Sequence, residues 1–223
     1  MGHVEPPRKR RTPELPDHLD VLDLAEQPLR NSRYDDIVVN GDDLASTVAH
    51  SLRLDRVRLK NVDLSGVAAH GLSLTDTCVE AGAWSNLDAA QATLARVEAR
   101  GVRASGADFT EATLNDVLFE DCRIDLALFR FAKLDRVSFR NCRLDESDFY
   151  EATLESVVFE NSSLVAASLE RASLSRCEIR GGDLSDLRGV ERLAGSRVTW
   201  PEVIQLAALL AEAHGIAVIR EDA

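Results

Sequence analysis

The chain has 223 residues and a formal net charge of -12 at neutral pH. That length holds one large domain or a domain with appendages, and that charge disfavours direct binding to a phosphate backbone. There is no run of about 18 apolar residues, so no membrane-spanning helix is expected. The basic residues Arg8, Lys9, Arg10 and Arg11 are not followed by the apolar stretch of a secretory leader. Four cysteines in a chain of this size do not make a disulfide framework, and a reduced, cytoplasmic protein is the expectation.

Residues 1–36 are rich in proline and charge, with Pro6, Pro7, Pro13 and Pro16 denying regular structure. They read as a flexible segment with a short helical turn near Asp20–Gln27. From Val39 to Leu184 an apolar residue returns at every fifth position, without insertion or deletion. Five is neither the helical period nor that of a strand. A fixed short repeat of this kind signals a solenoid. Two residues before each apolar position sits a mostly small one, as at Ala112, Val117, Cys122 and Ala127.

Triplets such as Ala107-Asp108-Phe109, Ala112-Thr113-Leu114, Ala152-Thr153-Leu154 and Gly182-Asp183-Leu184 resemble the pentapeptide-repeat family over residues 37–188. The resemblance implies an all-β solenoid, a right-handed quadrilateral β-helix with four pentapeptides per coil and about seven coils. It also implies that the central residue and the one two before it point inward. More distantly, the chain resembles the quinolone-resistance branch of that family. That likeness carries the alternative expectation of a DNA mimic acting on DNA gyrase or topoisomerase IV.

Residues twenty apart should then stack. Leu54, Leu74, Leu94, Leu114, Leu134, Leu154 and Leu174 form one such column, and Phe119, Phe139 and Phe159 belong to another. Small central residues are matched by larger partners (Val67 with Ala69, Leu87 with Ala89), and the large Trp84 by Gly82. A close-packed core demands such exchange. Outward columns alternate in charge: Lys60, Glu80, Arg100, Glu120, Arg140, Glu160, Arg180, and Arg56, Asp76, Arg96, Asp116, Arg136. Alternation gives each charge an opposite neighbour above and below, so the ladders fix register and keep the rod soluble.

The register dissolves after Arg188. Thr199-Trp200-Pro201-Glu202 is a capping box, so a helix is expected from Trp200 to about His214, ended by Gly215. Residues 189–223 thus form a C-terminal segment. Val203, Leu206 and Leu210 make the helix's apolar stripe, which either caps the solenoid or forms a homodimer seam.

Neither a phosphate loop nor a nucleophile elbow nor a metal-binding helix motif is present, so no enzyme activity, cofactor or metal is expected. His50 and His70 should stack outward on adjacent coils without a third ligand. Cys122 and Cys142 should stack inward, and Cys78 should be the accessible thiol. The unusual surface is apolar: Leu126, Leu128, Phe131 and Tyr150 point outward, with Leu118 close in sequence. They are the candidate protein-interaction patch. Asp108, Glu111, Asp145, Glu146, Asp148 and Glu151 are the candidate acidic patch, although residues 42–188 hold 25 acidic against 17 basic side chains. A rigid module for an unidentified protein partner, with no nucleic-acid or membrane contact, is the expected role.

Overall fold

In the computed structural model, which describes residues 4–219, the five-residue register becomes a four-sided β-solenoid. Every neighbouring pair of strands is parallel, and from Arg33 to Arg180 the pairing offset is twenty residues. Leu74 pairs with Leu94, Leu94 with Leu114, Leu114 with Leu134 and Leu134 with Leu154. The longest strands, Ser73–Glu80, Thr93–Arg100, Thr113–Glu120 and Lys133–Arg140, bend around one corner of the middle coils.

Each coil turns its corners with a residue of positive φ two places after the inward residue. At Leu64 and Ala69 the turn closes by hydrogen bonds from Val67 N and Leu72 N back to the inward residues' carbonyls. Its third residue is Gly66 or Gly71, at φ +64° and +71°, the backbone a type II turn requires. Asn, Asp, Ser and Gly fill many of these corners because they tolerate the left-handed region at low cost.

The inward residues form one continuous core. Phe109, Phe129 and Phe149 stack with ring centroids 5.2 and 4.9 Å apart, and Phe119, Phe139 and Phe159 at 5.2 and 5.1 Å. The two stacks meet edge to face, Phe129 against Phe139 and Phe149 against Phe159, each at 6.1 Å. Trp84 is buried beside Gly82, where a Cβ would lie 3.2 Å from the Val62 carbonyl oxygen and 3.5 Å from the indole nitrogen. The inward small polar residues use the coil before them. Ser147 donates to Ile124 O, Ser162 to Phe139 O, Cys122 to Ala99 O and Cys142 to Phe119 O. Cys122 and Cys142 are therefore buried free thiols acting as hydroxyls do. The neighbouring Cys122 sulfur, reinforced by burial, pushes the Cys142 thiol far up.

The coil count differs from expectation: about nine rather than about seven. Upstream, Leu24, Leu29, Tyr34 and Val39 keep the five-residue spacing and supply a further coil. Its strands Arg33–Asp35 and Ile37–Asn40 pair with the next coil. A 3-10 turn at Leu24–Glu26 and the absence of a small residue at Leu22 and Gln27 hide this coil from the repeat pattern. Downstream, Ile179 pairs with Val198, nineteen residues on. Gly189, at φ +74°, and the 3-10 turn Val190–Leu193 take up the missing residue.

The segment expected to be a flexible N-terminus is placed otherwise. Residues 5–14 lie as a strap along one corner of the rod, running from its C-terminal towards its N-terminal end. Glu5 pairs with Arg176 at 2.6 Å, Arg8 with Asp135 at 2.6 Å, Arg11 with Asp116 at 3.0 Å, and Glu14 N donates to Asp76 at 3.0 Å.

The helix α1, Trp200–Ala213, closes the far end. Glu202, expected to cap its own helix, is buried and instead caps the solenoid. It accepts from Gly181 N at 2.6 Å and Gly182 N at 3.2 Å, and Gln205 accepts from Leu184 N at 3.1 Å. Burial alone would raise the Glu202 carboxyl, but the bond from Thr199 and the two glycine amides hold it below its ordinary value. The last coil's unpaired amides are thereby satisfied, which an exposed sheet edge otherwise lacks.

Candidate functional site

The coil around residue 126 breaks the corner rule. Among the described positive-φ positions, Leu126 and Phe131 are the two filled by bulky apolar side chains, both at φ +59°. Such a residue in the left-handed region costs roughly 1–2 kcal/mol. Here the side chains are not even buried, being 54% and 47% exposed. Phe131 meets the Tyr150 ring edge to face at 5.9 Å. The Arg171 guanidinium lies 5.7 Å from that ring's centre and donates to the Tyr150 hydroxyl at 2.7 Å. Leu128 is half-buried. Leu118, also outward, is fully buried and belongs to the column that runs under the strap.

The apolar residues interrupt acidic columns. In the bridge ladder Leu128 lies between Asp108 and Asp148. By the same twenty-residue spacing Phe131 lies between Glu111 and Glu151. The six candidate acids do not form a bare stripe. Asp108 and Asp148 accept from the amides of Thr110 and Tyr150 in their own turns. Asp148 also pairs with Arg130 at 2.6 Å, Asp145 with Arg143 at 2.6 Å, and Glu151 with Arg171 at 2.9 Å. Glu111 accepts from Gln91 at 2.8 Å, and Glu146 is exposed at a corner. The result is an apolar centre with a partly neutralised acidic rim.

The outward ladders pair as charge alternation requires, mostly as separate couples, with Glu160 also bridging on to Arg180 at 2.9 Å. Lys60 pairs with Glu80 at 3.8 Å, Arg100 with Glu120 at 2.8 Å and Arg140 with Glu160 at 3.2 Å. In the second ladder Asp76 takes Arg96 and Asp116 takes Arg136, at 2.5 and 2.6 Å. Asp116 is 1% exposed. Its burial works against ionisation, but the bonds from Arg136 and Arg11 outweigh it and hold the carboxyl at about 2.

Of the other candidates, His50 and His70 stack edge to face at 6.4 Å, and His70 bonds Gln91 at 3.0 Å. Among the described residues, no three of His, Cys, Asp and Glu gather in metal-binding geometry. Cys78 is half-buried rather than freely accessible, and burial raises its thiol. On α1, Leu206 is buried and Val203 and Leu210 are half-buried against the solenoid end. The stripe thus packs towards the solenoid end, and the opposite face carries Trp200 and Ile204.

Two family profiles match the chain: a pentapeptide repeat region over residues 92–169 and pentapeptide repeats over residues 154–186. Residues 92–186 are thus built from the repeats of the pentapeptide-repeat family. Among solved structures it is similar to a trypsin-treated variant of QnrB1, a plasmid-mediated fluoroquinolone resistance protein. Identity there is 19%, with 91% of this chain and 98% of that one covered and a TM-score of 0.39. It is also similar to HetL, a pentapeptide-repeat protein involved in heterocyst differentiation regulation from Nostoc sp. strain PCC 7120. Identity there is 15%, coverage 75% and 89%, and the TM-score 0.25. No curated protein matches the sequence. Among the described residues, no helix is long and apolar enough to cross a membrane.

The patch was readable because its residues depart from the repeat. The strap was not: its arginines carry no periodicity, and the carboxylates they meet already had partners in the ladder. The surviving signal was charge, a basic N-terminal run on a chain whose repeats are net acidic.

Proposed function

We propose that this protein works without catalysis, as a rigid rod that recruits a protein partner through Leu126, Leu128, Phe131 and Tyr150. The observation that carries the reading is the placement of Leu126 and Phe131. Both occupy corners that favour small or polar residues, and both remain open to solvent. The cost of the backbone is not repaid inside the molecule, and an exposed apolar centre with a polar rim is the anatomy of an interface. The rim is acidic, so the fitting partner presents an apolar knob ringed by basic side chains. The DNA-mimic alternative needs a continuous negative surface, and the local pairing of Asp145, Asp148 and Glu151 argues against one. A gyrase supercoiling assay distinguishes the two: inhibition by this protein that survives Leu126→Glu/Phe131→Glu supports mimicry and sinks the patch reading.

We also propose that two copies associate at the C-terminal end. Trp200, Ile204 and Ile216 are 60–73% exposed there. Beside them an open groove of about 420 Å³ is lined by Val190, Leu193, Val198, Val203, Leu206 and Leu210. Light scattering of the full chain and of Trp200→Asp/Ile204→Asp tests this. A monomeric wild type at micromolar concentration contradicts it.

A further inference from the structure

The strap is held differently from the coils. Among the described residues, no backbone-to-backbone hydrogen bond joins residues 5–14 to the solenoid. Its two amide anchors, Arg11 N at 2.9 Å and Glu14 N at 3.0 Å, both go to carboxylates, those of Asp116 and Asp76. The remaining anchors are charged side chains. Arg8 bridges Asp135 and Glu155, Arg10 reaches Glu98 at 2.8 Å, and Arg11 reaches Asp116. Each of these acids already has an arginine from the coils: Arg136 on Asp135 and Asp116, Arg176 on Glu155, Arg100 on Glu98. On Asp135 and Glu98 the strap arginine takes the carboxylate oxygen that the coil arginine leaves, whereas on Glu155 and Asp116 the two share oxygens, so the groove presents each carboxylate to a second guanidinium.

The groove also has an apolar floor. Leu118 points outward yet is 1% exposed. Its ladder neighbours are Glu98 and Ser138. Arg10 binds the first, and residues 6–10 border the same depression as the second. Pro6, Pro7 and Pro13 keep the strap extended before it binds, which lowers the entropy lost on docking.

We propose that this groove is a binding site for extended, arginine-bearing peptide segments, that the strap is its resident occupant, and that a partner's segment of the same chemistry exchanges with it. Charge-assisted contacts without a β-ladder make that exchange feasible, since no strand pairing has to be broken. The columns involved are separate from those of Phe131, so the inference stands whether or not that patch recruits a partner.

The test uses the full chain, as wild type and as Arg8→Ala/Arg10→Ala/Arg11→Ala, with a fluorescein-labelled peptide of residues 4–16 as the probe. A tethered segment competes at an effective concentration on the order of millimolar. Anisotropy titration should therefore show the variant binding the peptide at least about tenfold more tightly than wild type. Adding Glu98→Gln and Asp116→Asn to the variant should abolish that gain, as should replacing the peptide's arginines by glutamine. Cys78 gives a second readout, because it lies in the Glu98–Leu118 column between strap anchors. Its alkylation should speed up severalfold in the arginine variant and slow again when peptide is added. Equal peptide affinity of variant and wild type overturns the proposal, with circular dichroism showing both folded. So does a Cys78 rate that is unchanged by the substitutions, or binding indifferent to the peptide's arginines.

Discussion

Replacing Phe129 by alanine removes a fully buried ring from the centre of the core, where it stacks on Phe109 and Phe149 and meets Phe139 edge on. In a globular core the surroundings partly collapse into such a hole, which lowers its cost. Here they are prevented from doing so. Phe109 N donates to Leu128 O, and Phe129 N to Asp148 O, each at 2.7 Å, so backbone ladders fix the coil spacing above and below the gap. The loss should therefore be that of a buried phenylalanine without relief from collapse, about 3–5 kcal/mol. For a chain of this length that is a fall in melting temperature of roughly 6–20 °C. Urea titration followed by far-ultraviolet circular dichroism, together with calorimetry, measures it. A loss below about 1 kcal/mol would show that coils close over missing volume, and would refute the argument that ladder spacing makes this core unforgiving.

Two further outcomes follow from the buried carboxylates. The Asp116 carboxyl titrates at about 2 in the fold against 3.8 unperturbed, so its ionised form stabilises the protein fully above pH 4. That contribution, about 2 kcal/mol, is lost as pH falls through 2. Asp116→Asn should shrink the difference in unfolding free energy between pH 4 and pH 2 by that amount, and an unchanged pH dependence contradicts the pairing. Glu202→Ala should leave the Gly181 and Gly182 amides without their acceptor, at a cost of about 1–3 kcal/mol. Hydrogen exchange should rise first in the last coil and α1, and uniform exchange behaviour along the rod would argue against a capping role.

The repeat pattern carried most of the fold, because inward and outward positions recur at a fixed spacing and each column is chemically coherent. The phenylalanine stacks, the Trp84–Gly82 exchange and the helix at Trp200 were all legible on that ground. The ends were less so. The first coil keeps its central residues Leu24, Leu29 and Tyr34 but has Leu22 and Gln27 where the first two would carry a small partner, and the last coil is one residue short. Glu202 read as a helix cap because local sequence reports only local bonds, whereas its partners lie some twenty residues upstream. The patch was visible residue by residue, since Leu126 and Phe131 contradict the composition of their corners. The burial of Leu118 was not, because what covers it is a strap more than a hundred residues away in sequence.

The claim that the Leu126–Tyr150 face recruits a protein is tested most directly by quantitative affinity purification with two folded baits, wild type and Leu126→Glu/Phe131→Glu. The account predicts at least one protein retained by wild type and lost with the double variant, its purified form binding wild type alone in a direct titration. Identical protein sets on both baits would contradict it.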